Sequence, residues 1–301
     1  MKTSTSRRDF LMAAGAAVAA APWASQLVAA AAAPSYQIGC YTRPFDQHEY
    51  RVALDAIAEA GYKYCGIMTA KGKSWVIVTD ALADEEAAKV AAEVKQRGLK
   101  ALSVYGAGFP VAKSVEAGVA GLRRLIDHCA TIEAGNLLLG GTSDEKLYAD
   151  YYKVVAECCD YAAAKGVGLS VKPHGGRNAT AADCRKAINL VGHKNFRVWY
   201  DPGNIFFYSD GKIDPVDDVA GADGLVAGVS VKDFKPPKNV MVTPGTGQVD
   251  FAKVLAKLKA GGFTAGPLIV ECLDKGDLQP TIAEARKARL FLEELTAKLS
   301  G

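Results

Sequence analysis

Four short apolar runs in the second half of the chain each end on side chains that could hold or move a proton. Leu169-Ser170-Val171 gives way to Lys172-Pro173-His174, Tyr200 to Asp201, Ser230-Val231 to Lys232-Asp233, and Val270 to Glu271. Ammonium, carboxylate and imidazole groups are the materials of general acid–base chemistry, and a fixed ammonium also stabilises a developing oxyanion. Pro173 and Gly175-Gly176 stop the run before them, because proline lacks a ladder donor and glycine favours turns. Lys172 and Asp201 are 29 residues apart, and Asp201 and Ser230 again 29. One strand, its helix and two short loops need about that many residues. Taken singly, Lys172 reads as a solvated surface charge and His174 as a structural ring. Four polar strand ends at regular spacing argue instead for one shared site. For Lys172, Asp201 and Glu271 the competing reading is an inert salt-bridge network tying strands together.

The rest of the chain must supply the frame. From Tyr36 onward strand and helix signals alternate, with strands expected at 37–41, 62–68, 100–105, 136–139, 167–172, 197–201, 226–231 and 268–271. Apolar residues at helical spacing fill the segments between, as over Tyr50 to Ala60, which stops at Gly61. Thr180 with Asp183 has capping-box-like spacing, and Pro215 suits the first turn of a helix. Two long loops interrupt the pattern: 69–81, a lid or a small hairpin carrying Trp75, and 233–248, carrying Pro244-Gly245-Thr246-Gly247. Eight strands alternating with helices imply parallel pairing through crossovers. The expected fold class is α/β, a (β/α)₈ TIM barrel, whose chemistry sits at the C-terminal ends of the strands. A doubly wound sheet is the alternative, weakened by the lack of a Gly-x-Gly-x-x-Gly after the first strand.

Ser6-Arg7-Arg8-Asp9-Phe10-Leu11, followed by an alanine-rich apolar run, reads as a twin-arginine export signal. Residues 1–33 are therefore expected to be a cleaved Tat leader and 34–301 a single barrel domain, periplasmic or extracellular, with no stable membrane association after cleavage. Removing the leader leaves roughly 270 residues, an ordinary barrel length. The formal charge of +3 falls to about +1 without it, too neutral to argue for a nucleic-acid partner. Seven scattered cysteines show no zinc spacing and read as mostly buried thiols.

Tyr200-Asp201-Pro202-Gly203-Asn204, Val231-Lys232-Asp233, Gly245-Thr246-Gly247-Gln248-Val249-Asp250-Phe251 and Leu268-Ile269-Val270-Glu271, in that order, resemble the xylose-isomerase-like TIM barrels. The likeness spans nearly the whole mature chain. It implies sugar isomerase, epimerase or lyase chemistry, often with a divalent metal. The family's usual metal set (a glutamate, then Asp, His and Glu) falls on Lys172, Asp201, Ser230 and Glu271, so two ligands match and two do not. A further glutamate of the family falls on Gly66. Nuclease members carry many histidine ligands, whereas this chain has only His48, His128, His174 and His193.

The departure suggests that Lys172 replaces the metal's charge, with Asp201 or Glu271 as base and His174 as acid partner. A Schiff base on Lys172 ranks lower, because flanking carboxylates hold the amine protonated. Asn204, Ser230, Lys232, Gly245, Thr246, Trp75 and Tyr105 are the expected substrate-binding residues, with Phe109 and Trp199 as further stacking candidates. The leading expectation is an exported isomerase, epimerase or lyase that moves a proton next to a carbonyl of an unphosphorylated carbohydrate, with no cofactor. The alternatives are the same chemistry with one Mn, Mg, Zn or Co ion on Asp201 and Glu271, helped by His174 and Asp233, and a non-catalytic carbohydrate-binding barrel.

Overall fold

A computed structural model describes residues 35–300 apart from residue 107. The leader expected at 1–33 lies outside the described residues. The elements run β1 (Tyr36–Tyr41), α1 (Tyr50–Glu59), β2 (Tyr64–Ile67), α2 (Asp84–Gln96), β3 (Lys100–Tyr105), α3 (Val115–Thr131), β4 (Asn136–Leu139) and α4 (Tyr148–Ala164). They continue with β5 (Gly168–Val171), α5 (Ala181–Val191), β6 (Phe196–Tyr200), α6 (Pro202–Tyr208), α7 (Pro215–Asp218), β7 (Val226–Val231), α8 (Phe251–Ala260), β8 (Gly266–Val270) and α9 (Leu278–Ser300). Every strand pairs in parallel with its sequence neighbour, and β8 closes on β1 in the register Tyr36–Gly266 to Cys40–Val270. The expected eight-stranded barrel is the observed one.

Both faces of these strands are covered, which is why they are apolar almost without interruption. The larger core lies between strands and helices; Val171, Tyr200, Val231 and Val270, the last residues of β5 to β8, all belong to it. The smaller core fills the barrel with Tyr41, Met68, Leu102, Leu138, Trp199 and Ile269. Alternation of side chains along a strand then decides the site. Because those last residues face outward, the next residue of each strand turns inward, over the mouth of the barrel.

Two expectations change. β2 is shorter than 62–68, because Tyr62 leaves the sheet and its phenol donates to the Ala285 carbonyl at 2.8 Å. Asp201-Pro202-Gly203-Asn204 opens a short helix that the strand pattern did not include: Asp201 is the N-cap of α6, accepting from the Asn204 amide at 3.0 Å, with Pro202 in the first turn. The 69–81 segment contains a small hairpin, with Thr69 bridged to Val76. All seven cysteines are buried free thiols. Among the described residues no helix is long and apolar enough to cross a membrane.

Candidate active site

Lys172, Asp201, Lys232 and Glu271 are the first residues past β5, β6, β7 and β8, and they meet over the barrel. The Lys172 Nζ lies 2.8 Å from both Glu271 oxygens and 3.3 Å from Asp201 Oδ2. The Lys232 Nζ lies 2.9 Å from Asp201 Oδ2, 2.7 Å from Glu271 Oε1 and 3.0 Å from Asn204 Oδ1. Arg43, two residues beyond β1, adds a guanidinium whose Nη1 donates to Glu271 Oε1 at 2.9 Å. All but Arg43 are essentially sealed from solvent. Gly203 makes room for this: a Cβ there would come within 2.7 Å of the Lys232 stem and of its carbonyl oxygen.

The two lysines are not equivalent. Lys232 donates to Asp201 Oδ2 and Asn204 Oδ1 and forms an ion pair with Glu271, and Asn204 is locked to receive its bond, since its amide nitrogen donates to the Pro173 carbonyl at 2.7 Å. Burial opposes the Lys232 charge, but Asp201 and Glu271 outweigh it and hold its pKa well above the lysine range. Burial lowers Lys172, and the like charge of Lys232 adds to that against the pull of Glu271 and Asp201. Burial would raise Glu271, yet Lys172, Lys232 and Arg43 together hold it well below the usual carboxylate range. Glu271 is therefore a poor proton acceptor, contrary to the role of base expected for it.

Beside the cluster a cavity of about 390 Å³ is walled by Gly140, Gly141, Thr142, Ser143, His174, Gly175, Gly176 and Tyr208. Hollows of about 410 and 490 Å³ lie elsewhere, the first between the loop after β2 and the start of α2, the second against α3. His174 lines the site cavity, edge-on to Tyr208 with ring centroids 5.5 Å apart. The surrounding wall, then the charges of Lys172 and Lys232, push its imidazole down to about 4. The ring still meets solvent, so desolvation is incomplete and the neighbouring cations are the firmer cause. His174, expected as the acid partner, is a neutral ring at neutral pH. Tyr105, like His174, stands close to Gly140, and its ring centroid is 6.0 Å from the Lys172 Nζ. Burial raises both Tyr105 and Tyr208, so both phenols stay neutral.

Other expected binding residues are placed differently. Ser230 lies one layer below the cluster, fully buried in the barrel, because it is still within β7; two residues on, Lys232 takes the place assigned to it. Asn204 is buried and fully engaged, so it positions Lys232 rather than awaiting a sugar hydroxyl. Gly245 and Thr246 serve their own loop: the Gly245 amide donates to Asp233 Oδ2 at 3.0 Å and the Thr246 hydroxyl to the Thr243 carbonyl at 2.8 Å. Asp233 takes four backbone amides, from Phe234, Gly245, Gly247 and Val249, at 2.8 to 3.0 Å. It is the organiser of that loop and has no freedom to ligate a metal. Trp75 is 57% exposed on the hairpin, its indole donating to Asp46 at 3.0 Å. Trp199 fills the barrel interior against Gly228, and Phe109 stacks on Tyr151 at 4.6 Å, so neither offers a face to a ligand.

A divalent cation between Asp201 and Glu271 would have to displace two ammonium groups, and cations repel. Among the described residues no three His, Cys, Asp or Glu side chains converge on one point. The position over Gly66 is filled by the Tyr41 ring, which a Cβ there would meet at 2.1 Å. The donor set does not fit a metal. Beneath the cluster, Tyr41 Oη, Ser170 Oγ, Ser230 Oγ and Trp199 Nε1 are buried with no protein partner among the described residues. The Tyr41 phenol approaches Ser103 and Ser230, but neither completes a hydrogen bond.

Arg43 and Tyr208 were not anticipated from the sequence. Arg43 carried a usable signal, a charge just past the end of β1, like those after β5 to β8. Tyr208 carried none, since its place depends on where α6 points.

A profile of xylose isomerase-like TIM barrels matches residues 54–295. The chain belongs to that family. Its fold is also that of a xylose isomerase domain protein from Planctomyces limnophilus, with TM-score 0.69 and 18% identity over 89% of this chain and 99% of the other. A D-allulose 3-epimerase from Methylomonas sp., solved with D-allulose, superposes with TM-score 0.67 and 18% identity over 87% and 97% of the two chains. A magnesium complex of a family protein from Mycobacterium smegmatis gives TM-score 0.69 and 17% identity over 87% and 98%. No curated protein sequence matches the chain. At such identities the likeness establishes the fold.

Proposed function

We propose that the protein is a sugar isomerase, epimerase or lyase that moves a proton next to a carbonyl without a metal. The observation that carries this reading is the pair of ammonium groups, Lys172 and Lys232, between Asp201 and Glu271 at 2.7 to 3.3 Å. Removing a proton beside a carbonyl builds negative charge on oxygen, and cations fixed in a dry site stabilise it with little reorganisation. Family membership and the sugar epimerases that share the fold support a carbohydrate substrate.

His174 is the proton carrier in this reading, since it lines the cavity as a neutral ring. The cations that depress its basicity at rest are screened as the enolate oxyanion forms, so its affinity for the proton rises as the reaction advances. Asp201 and Glu271 hold the lysines in place. Arg7-Arg8 near the start of the chain supports export by the Tat pathway, with residues 34–301 as the working domain.

The test is incorporation of solvent deuterium into keto-sugars, alongside elemental analysis of the same preparation. Deuterium at a carbon next to the carbonyl, with no stoichiometric metal, is the expected result. One equivalent of a divalent metal needed for exchange would overturn the metal-free mechanism, and sugar binding without exchange would favour a binding barrel.

A further inference from the structure

Proton transfer next to a carbonyl needs a donor that touches the oxygen on which charge develops. The buried ammonium groups are already committed. Lys172 Nζ donates to Glu271 Oε1, Glu271 Oε2 and Asp201 Oδ2, one acceptor for each of its three hydrogens. Lys232 Nζ donates to Asp201 Oδ2 and Asn204 Oδ1 and pairs with Glu271 Oε1. Both side chains are sealed from solvent. Their field reaches His174 in the cavity wall, but their hydrogens are turned to the carboxylates.

Tyr105 is placed differently. It is the last residue of β3 and packs on the inner core, so its ring stands at the mouth of the barrel. Its hydroxyl comes up against Gly140, which lines the cavity. A Cβ on Gly140 would lie 3.1 Å from Tyr105 Oη and 3.7 Å from His174 Nδ1. Glycine at 140 thus leaves open a space that a phenol and an imidazole both border. Neither group has a hydrogen-bond partner among the described residues, and neither is sealed in as Tyr41 Oη is. Burial, then Glu271, holds the phenol protonated, so it is present as a donor; Lys232 and Arg43 act on it through space, so an oxyanion beside it draws on the same cations.

We propose that the Tyr105 hydroxyl donates the hydrogen bond that holds the reacting carbonyl oxygen, while His174 takes the proton from the adjacent carbon. The assignment deepens the proton-transfer reading of the site and rests on it. As the C–H bond breaks, its electron pair becomes the C–C double bond of the enolate and the carbonyl π pair moves onto oxygen. The proton passes to the unprotonated ring nitrogen of His174. The phenol keeps its own proton and donates it as a hydrogen bond to the oxyanion. The same steps in reverse return a proton to carbon.

The experiment compares the rates of solvent-deuterium incorporation into D-fructose, D-allulose and L-ribulose for the parent protein and Tyr105→Phe. Phenylalanine keeps the ring and removes only a hydroxyl with no described partner, so the melting temperature should stay close to the parent's. The expected result is a kcat for exchange lower by about 100-fold or more, with KM changed by less than about threefold, the mark of a bond made to the transition state. A ring needed only for packing or for stacking on a sugar would raise KM and spare kcat. Parental kcat in Tyr105→Phe, or a loss confined to KM, would overturn the proposal and leave the proton-transfer reading standing. Exchange lost in Tyr208→Phe but kept in Tyr105→Phe would give the role to the other phenol and overturn it too. If the parent exchanges none of the three sugars, the reading falls and the proposal with it. Should Tyr105→Phe fail to fold, Gly140→Ala puts a methyl 3.1 Å from the hydroxyl and should lower kcat about tenfold or more by displacing it; a folded Gly140→Ala with parental kcat overturns the proposal.

Discussion

Glu271 and Asp233 are two fully buried carboxylates at neighbouring strand ends, and each is surrounded by donors. Around Asp233 the donors are four backbone amides of one loop. Around Glu271 they are three charged side chains from β1, β5 and β7. Backbone amides are fixed by the fold and carry no net charge, so Asp233 holds a loop in shape. Charged side chains bring an electrostatic field with them, so the shell of Glu271 acts on whatever stands beside it. A buried carboxylate is thus structural or functional according to what satisfies it.

Removing the Glu271 charge should have the largest effect. Glu271→Gln leaves three cations facing one carboxylate, and a broken buried ion pair costs about 3–5 kcal/mol. Chemical denaturation should show that loss together with loss of deuterium exchange; a variant as stable as the parent would show that the cations are not all charged. Asp233→Asn should cost about 1.5–3 kcal/mol, since hydrogen bonds to a charged acceptor are the stronger ones. Its exchange chemistry should survive at a temperature where it stays folded, and abolished chemistry in a folded variant would put Asp233 in the site after all.

Lys172→Met sharpens the contrast from the other side. It leaves two cations and two carboxylates, so its melting temperature should fall less than that of Glu271→Gln. Exchange should nevertheless drop about 100-fold or more, the cost of losing one oxyanion stabiliser. Acid titration reads His174. Its folded pKa of about 4 lies below the ordinary 6.5, so the unfolded chain binds more protons between those values. Stability should therefore decline as pH falls from about 6.5 to about 4, and the acid limb of kcat/KM should lie near 4. A limb near 6.5, unchanged in His174→Asn, would remove the histidine from the mechanism. Trp75→Ala, on an exposed hairpin, should alter stability by no more than about 0.5 kcal/mol.

The barrel was legible because each strand and helix advertises itself locally, through apolar runs and spacing near 30 residues. Lys172, Asp201 and Glu271 were legible as a group for the same reason: each is the first polar residue past a strand whose last residue faces outward. The register at β7 was not. Ser230 and Lys232 lie on the same side of that strand, and only the closed barrel shows which is buried below and which reaches the cluster. Gly245 and Thr246 looked like a ligand loop, and a glycine-rich turn reads the same whether it admits a ligand or the Asp233 carboxylate.

By itself the sequence determined the alternation of strands and helices, and with it the parallel barrel and the end at which polar side chains gather. Periodicity is a local property, carried by neighbouring residues. Only the tertiary structure decided that Arg43 joins the charge cluster, that Asn204 and Asp233 are already spoken for, and that His174 is neutral. Those outcomes depend on distances between residues far apart in the chain, and on burial that no local pattern records.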